Sequence, residues 1–383
     1  MSLTTDLPDL SGEEGPRPGR WPAVGPDPRP DIDGPRELTP RELVLRAFDP
    51  KLECRGEGLP VGVCLGGSWP FFLEKVPFRD LLADPKRAAA IFYGVNARVG
   101  ADFVTVGTGA TALLLQALGA EIGYNPRRAP SIESTLVNSE ADIERLDVQK
   151  ALSSEGIRWL GEVARETVRL NAGRRALFVS GRAPFTLAGQ MTELEVFSKG
   201  IYKNKAFVER LLDKAEQLSA GYFEYMLSVK GLDGIFVADP SASGDLLSAR
   251  HFERVALPRI KGLLDRLKTL GKPSLLHICG KTTDRLHLLP KTGVGMVSLD
   301  SKVDLAKGRE ILGGQLAFAG NVHPVFVLED LSPGGVAEAT LRCLGEARAA
   351  EGGFMLLPGC DLSARVPEAN VASFVRVAHD FRG

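Results

Sequence analysis

The sequence predicts an α/β fold, a single (β/α)8 TIM barrel, and three observations carry that expectation. Eight short apolar runs, each bounded by glycine or a polar residue, recur along the chain as buried parallel strands do. Helical segments lie between them, and strand–helix alternation is the signature of a parallel sheet. The length of 383 residues suits one barrel of about 250 residues with additions. A doubly wound open sheet is the competing architecture, but no G-x-G-x-x-G opens a helix after a strand.

The elements follow in order. Residues 1–36 are crowded with prolines, from Pro8 to Pro35, mixed with glycine and acidic residues. Such a stretch lacks the apolar surface to offset its ordering entropy, so a disordered or extended arm is expected. Trp21 could dock this arm on a second copy of the chain, giving a homo-oligomer. Order is expected from Thr39, where Thr-Pro-Arg-Glu combines a capping threonine, a proline in the first turn and a glutamate at the third position. The barrel domain is then expected over 37–383.

The eight runs are 60–66, 102–107, 176–181, 234–239, 274–279, 295–300, 316–321 and 353–360. Helices are expected over 156–171, 205–229, 251–270, 335–350 and 370–381. The interval between the second and third runs is long. An excursion at about 108–155 is expected there, with a small hairpin lying over one end of the barrel. No internal repeat of solenoid period is present.

Composition narrows the function. Lysine and arginine number 47 against 48 aspartate and glutamate, a net charge of -1, which argues against a dedicated nucleic-acid binder. No apolar run reaches the ~18 residues of a membrane span. The first residues lack a basic segment followed by an apolar one, so no secretory leader is expected. The 5 cysteines fit no closed disulfide framework. A reducing cytoplasm is the expected compartment, and there a cysteine with a role is a metal ligand or a nucleophile.

Barrel active sites lie at the C-terminal ends of the strands. Asp239, His277, Cys279, Asp300, Asn321 and Cys360 all fall at such ends. His277-Ile278-Cys279 is the sharpest feature, because strand residues i and i+2 face the same side. One imidazole and one thiol at that spacing make half a zinc site, and Cys360 could supply a third ligand. Three protein ligands with an open fourth position are the catalytic zinc arrangement. The opposing reading makes His277 a hydrogen-bonded core histidine and the cysteines apolar fillers. The fifth and eighth runs are not neighbours in a barrel, so Cys360 must reach inward from its P-G-C turn.

Asp239, Asp300 or a water could complete a metal shell. Asp239, Asp300 and Asn321 could equally act on substrate or orient His277, and Asp300 could cap the following turn. Arg182 could hold an anionic group, or form a surface salt bridge. Cys64 and Cys343 read as core and Cys54 as a loop residue without a role. His251, His287 and His379 lie on expected helices as surface or satisfied residues, and His323 is a weaker site candidate.

Three segments carry a family resemblance: HICGKTTDRLHLLPKTGVGMVSLD, GGQLAFAGNVHP and GGFMLLPGCDLSARVPEANV. They look like the C-terminal half of the uroporphyrinogen decarboxylase superfamily. GRAPFTLAG resembles its mid-barrel turn, and TPRELVLRAF its first helix. The resemblance runs from about Thr39 to the C-terminus and implies the same barrel fold. The decarboxylase branch carries an arginine-rich motif after the first strand, and GVCLGGSWPFFLEK holds no arginine. The methyltransferase branch, which includes methylcobamide:coenzyme M methyltransferases and O-demethylase components, carries a zinc site of the form H-x-C…C. His277, Cys279 and Cys360 match it.

The resemblance therefore implies a zinc-dependent methyltransferase that moves a methyl group between a corrinoid and a small molecule. That molecule could be a thiol, a folate or a methyl ether. The D-x-H-x-x-G pattern of corrinoid-binding modules is missing. The cobalamin or corrinoid is thus expected on a separate protein or free in solution, with a docking surface around the barrel mouth. A metal-free decarboxylase of tetrapyrrole carboxylates and a non-enzymatic tetrapyrrole binder are the alternatives.

Overall fold

The computed structural model describes residues 38–51, 58–125, 129–349 and 353–382. The expected N-terminal arm, residues 1–36, and Cys54 lie outside them. Nine strands form among the described residues. β1 (Phe103–Val106) is followed by the two-residue β2 (Ile122–Gly123) and β3 (Ser131–Ile132). Then come β4 (Ala176–Arg182), β5 (Gly234–Ala238), β6 (Ser274–His277), β7 (Met296–Ser298), β8 (Ala317–Val322) and β9 (Phe354–Pro358). Seven of them make one sheet in the order β1-β4-β5-β6-β7-β8-β9, and every pair is parallel. Every residue of β5 and β9 is buried, as strands covered on both faces must be.

The sheet curls until its two edges meet a shared segment. Val61 bridges Leu356 of β9 and Gly62 bridges Phe103 of β1, both in parallel. Gly62 N donates to Leu356 O at 3.0 Å, and Asp102 N donates to Val61 O at 2.8 Å. The first expected run is therefore present as two single-residue bridges rather than a regular strand. A Cβ at Gly62 would stand 2.6 Å from the Leu357 side chain and 2.8 Å from that of Phe103, so the segment lies too close to its neighbours for a side chain there. Asp102 pins it. Its Oδ2 accepts from Val61 N at 3.2 Å and from His379 Nε2 of the last helix at 3.0 Å.

Alternation along the strands sends one set of side chains inward. Phe103, Phe178, Phe236, Leu275, Met296 and Met355 belong to a core cluster separate from the one beneath the helices. The Phe103 and Phe178 rings stand 5.0 Å apart, and Phe48 stacks on Phe178 at 5.5 Å. Phe48 follows the helix Pro40–Arg46, whose Thr39–Glu42 capping box forms as expected. This helix plugs the N-terminal end of the sheet.

Helices Glu155–Asn171, Lys205–Leu227, Pro333–Ala347 and Glu368–Asp380 fall close to the expected spans. The span expected as one helix over 251–270 is instead broken by a π-helical stretch, Phe252–Ala256, ahead of the helix Leu257–Lys268. Between β1 and β4 lie the helix Ala110–Ala117, the antiparallel β2–β3 hairpin and two short helices, Glu140–Arg145 and Val148–Leu152. Among the described residues, no helix is long and apolar enough to cross a membrane.

Candidate metal centre

β6 faces Leu275 into the sheet's interior, so two residues later His277 also points inward. Its ring lies over that of Phe236, 6.3 Å between centroids. His277 Nδ1 is 3.0 Å from Ser298 Oγ and 3.3 Å from Ser298 O, at the end of β7. A proton on Nδ1 shared with these oxygens leaves Nε2 as the free lone pair. Nε2 stands 3.1 Å from Cys279 Sγ, which is 3.5 Å from Cys360 Sγ.

Two glycine turns bring the sulfurs there. Gly280, at φ +78°, turns the chain just after Cys279, and its N–H donates to Asp300 Oδ2 at 2.8 Å. Gly359 N donates to Val322 O at 2.8 Å, and a Cβ at Gly359 would lie 2.4 Å from Ser301 N. That close approach carries Cys360 across the end of the sheet, although β7 and β8 separate β9 from β6.

Potential ligand atoms of His277, Cys279, Asp300 and Cys360 all lie within 4.8 Å of one another. The donor chemistry suits zinc. Tetrahedral coordination, with Zn–S near 2.3 Å and Zn–N near 2.0 Å, separates two sulfurs by about 3.7 Å and a sulfur and a nitrogen by about 3.5 Å. The observed 3.5 Å and 3.1 Å are slightly contracted versions of those edges.

The contact between the two sulfurs drives their acidities apart. The hydrogen bond from Cys279, helped by His277, holds the Cys360 thiol below its ordinary pKa. Cys279, as the donor and buried, is pushed up. Burial pushes Asp361 up to about 6, and the adjacent Cys360 adds to the shift. Asp361 Oδ1 is buried with no hydrogen-bond partner among the described residues. Burial likewise raises Asp239 to about 6, against the opposing pull of Thr186 and Arg182.

A cavity of about 720 Å³ opens above these groups at the C-terminal ends of the strands. His277, Cys279, Cys360 and Phe236 line its floor, and Arg182 and Asp361 flank them. Residues 129–135, on and after the β2–β3 hairpin, form one wall together with Gln190 and Thr192. Leu136 N and Val137 N both donate to Met191 O, at 3.0 Å and 2.9 Å, which ties the two parts of that wall together. The Arg182 guanidinium makes no hydrogen bond or ion pair among the described residues.

The seven residues singled out from the sequence thus separate. His277, Cys279, Asp300 and Cys360 converge, with Arg182 beside them. Both Asp300 oxygens are engaged at 2.8 Å, Oδ1 by Lys302 N and Oδ2 by Gly280 N, so this carboxylate caps its own turn while facing the sulfurs. Asp239 is 0% exposed beneath the cavity floor. Its Oδ1 accepts from Thr186 N at 2.8 Å and Thr186 Oγ1 at 2.5 Å, and its backbone N donates to His277 O at 2.8 Å. Asn321 is placed behind the site and is not in the cavity lining. Its Nδ2 donates to Asp300 O at 3.0 Å and Val303 O at 2.7 Å, which braces the Asp300 turn. His323 Nδ1 accepts from two backbone amides, Val325 N and Phe326 N.

Sequence reasoning missed Ser298 and Asp361, whereas the excursion expected over about 108–155 contains the β2–β3 hairpin and the 129–135 wall. Ser298 was findable, since it lies two residues before Asp300 at the end of a strand. Asp361 adjoins Cys360 in sequence. The sequence did not say which residues of that excursion line the cavity, because tertiary packing places them.

The model of the uroporphyrinogen decarboxylase (URO-D) family matches residues 72–381. The chain belongs to the URO-D family. The resemblance seen in the sequence is thereby borne out. Among its relatives is the methylcobamide:CoM methyltransferase MtbA of Methanosarcina acetivorans, 28% identical over 325 residues, 83% of this chain and 88% of that protein. The uroporphyrinogen decarboxylase of Syntrophotalea carbinolica is also 28% identical, over 312 residues, 80% of this chain and 87% of that protein. The solved structure of a methyltransferase from Methanosarcina mazei matches this URO-D family chain with a TM-score of 0.79 at 23% identity. That match covers 91% of this chain and 100% of the other, and it establishes a shared, TIM-barrel-like fold.

Proposed function

We propose that this URO-D family chain is a zinc-dependent methyltransferase. It moves a methyl group between a corrinoid, carried by a separate protein or as free cobalamin, and a small thiol, folate or methylated substrate such as a methyl ether. The observation that carries the reading is the convergence of one imidazole nitrogen and two sulfurs at the floor of an open cavity. Relatives named as methylcobamide:CoM methyltransferases support it. So does the absence of arginine from residues 62–75, where the decarboxylase branch carries its arginine-rich motif.

His277, Cys279 and Cys360 would hold the ion, with Asp300 the nearest further donor. Bound there, zinc would hold a substrate thiol as its thiolate at neutral pH or polarise the heteroatom of a methyl donor. The remaining work falls to the chain itself. Ser298 orients the His277 ring and fixes its tautomer. Asp239 holds the Thr186 backbone while its own amide secures the His277 carbonyl, so it positions the end of β6. Arg182, whose charge acts on Asp239 and Asp361 and whose guanidinium makes no hydrogen bond among the described residues, would offer that guanidinium to an anionic group on the small molecule. The 129–135 wall limits water at the cavity. A reducing, cytoplasmic setting would keep both thiols available.

The direct test follows methylcobalamin absorption against a panel of thiol and folate acceptors, with zinc content measured on the same preparation. Methyl transfer by zinc-loaded protein is expected. Turnover of uroporphyrinogen that survives loss of His277 and Cys279 would instead establish the decarboxylase alternative. Ser298→Ala is expected to weaken metal affinity by about 10-fold to 100-fold, read by competition with a chromophoric chelator. Arg182→Met is expected to raise KM for an anionic acceptor by about tenfold with a smaller change in kcat, as loss of ground-state binding does. Equal KM values for the two proteins would remove Arg182 from that role.

A further inference from the structure

Arg285 is a fully buried cation, 0% exposed, six residues beyond Cys279. Its Nη1 donates to Ala242 O and its Nη2 to Leu247 O, both at 2.7 Å. Its Nε donates to Asp284 Oδ1 at 2.9 Å, and the guanidinium lies 5.2 Å from the centroid of the Phe252 ring, at the start of the π-helical stretch. Removing a charge from water is strongly unfavourable unless the geometry of its partners is good. Here one planar fork spans two carbonyls of the loop that follows β5 and Asp239. A lysine, with a single point charge, cannot reach both in that plane.

That loop in turn grips the Cys279 turn. Gly244 N donates to Lys281 O at 2.7 Å, and a Cβ at Gly244 would stand 2.6 Å from that oxygen and 3.1 Å from Arg285 Nη2. A Cβ at Gly280 would stand 2.3 Å from Asp245 Oδ2. Lys302 Nζ bonds the same Asp245 Oδ2 at 2.9 Å, and Gly280 N is held from the other side by Asp300. The segment Cys279–Gly280–Lys281 is therefore clamped between the loop after β5 and the loop after β7, and Arg285 closes the clamp.

We infer that Arg285 is a positioning residue: by latching the loop 240–247 it holds the Cys279 turn in the conformation that presents its sulfur beside His277 and Cys360. The inference rests on the metal site of the proposed function, and it concerns retention of the ion rather than the reaction.

The test compares wild type with Arg285→Lys, which keeps the charge and loses the fork, and with Gly244→Ala, which presses on the same turn from within the latched loop. Each protein is loaded with Co²⁺, whose thiolate charge-transfer absorption reports the two sulfurs, and release to a chelator is timed. Hydrogen exchange of the metal-free proteins is followed over 240–247 and 279–285. Both variants are expected to lose cobalt about tenfold faster or more, with exchange raised in those two segments above the rest of the chain. A merely structural arginine would lower the unfolding midpoint and leave cobalt release and the absorption band as in wild type, and that result overturns the inference. Should Arg285→Lys fail to fold, Gly244→Ala decides on the same readouts. Should wild type take up no cobalt, the metal reading itself fails. Exchange then decides alone, and no increase over 279–285 in Arg285→Lys overturns the role given to Arg285.

Discussion

Replacing Cys360 with serine is expected to lower methyl transfer by on the order of 10³-fold while the fold persists. The factor corresponds to about 4 kcal/mol of barrier, the scale on which a bound metal stabilises charge in a transition state. The fold should survive because the change is local. Cys360 sits in the turn after β9 at the cavity floor, half-buried, and its sulfur touches the ligand cluster rather than the packed interior. Serine keeps the shape and loses the soft donor. Zinc content should fall with activity, and removal of zinc from wild type by a chelator should reproduce the loss, with recovery on re-addition. Serine variants of Cys360 and Cys279 that both transfer methyl at the wild-type rate without bound zinc would overturn the proposal.

The largest expected effect on stability comes from the opposite end of the sheet. Asp102→Ala should cost about 3–5 kcal/mol, because it strips the partner from two buried donors, Val61 N and His379 Nε2. Asp102 is 1% exposed and His379 3%, so water cannot replace the carboxylate without opening the structure. Asp102→Asn, which retains a carbonyl oxygen, should cost markedly less. Urea unfolding measures the difference. Amide exchange at 61–63 should accelerate in the alanine variant before global unfolding, since Asp102 ties the segment that joins the two sheet edges. Equal stability of the two variants would show that the carboxylate does not pin that segment.

The contrast between these two regions explains what was legible in the sequence. The run 234–239 became β5 with every residue buried, because a short apolar run between punctuating residues leaves few other options. The run 60–66 looked the same but gives only two bridges, since its pairing depends on how closely Leu357 and Phe103 approach Gly62. The π-helical stretch Phe252–Ala256 was equally invisible, as hydrophobic periodicity does not separate it from an α-helix. At the site, the two-residue period placed His277 and Cys279 together. The meeting of Cys279 with Cys360, 81 residues away, was a guess from residue type and from family resemblance. Asn321 shows the limit of reading strand ends alone. Its position lies at the C-terminal end of β8, but its side chain turns to the backbone of the Asp300 turn.

Joining the sheet edges has a consequence for how the chain is made. The tie between Asp102 and His379 spans 277 positions, and the indole of Trp69 donates to Val366 O across 297. Contacts so distant form only after a large loop-closure entropy has been overcome, and topologies dominated by them fold slowly. During synthesis from the N-terminus, Val61 cannot meet Leu356, nor Cys279 meet Cys360, until β9 and its turn have emerged. For most of its time on the ribosome the growing sheet presents two open edges, which are templates for pairing with other chains. Shielding of those edges matters most in that interval, and the proposed metal site is complete only after it.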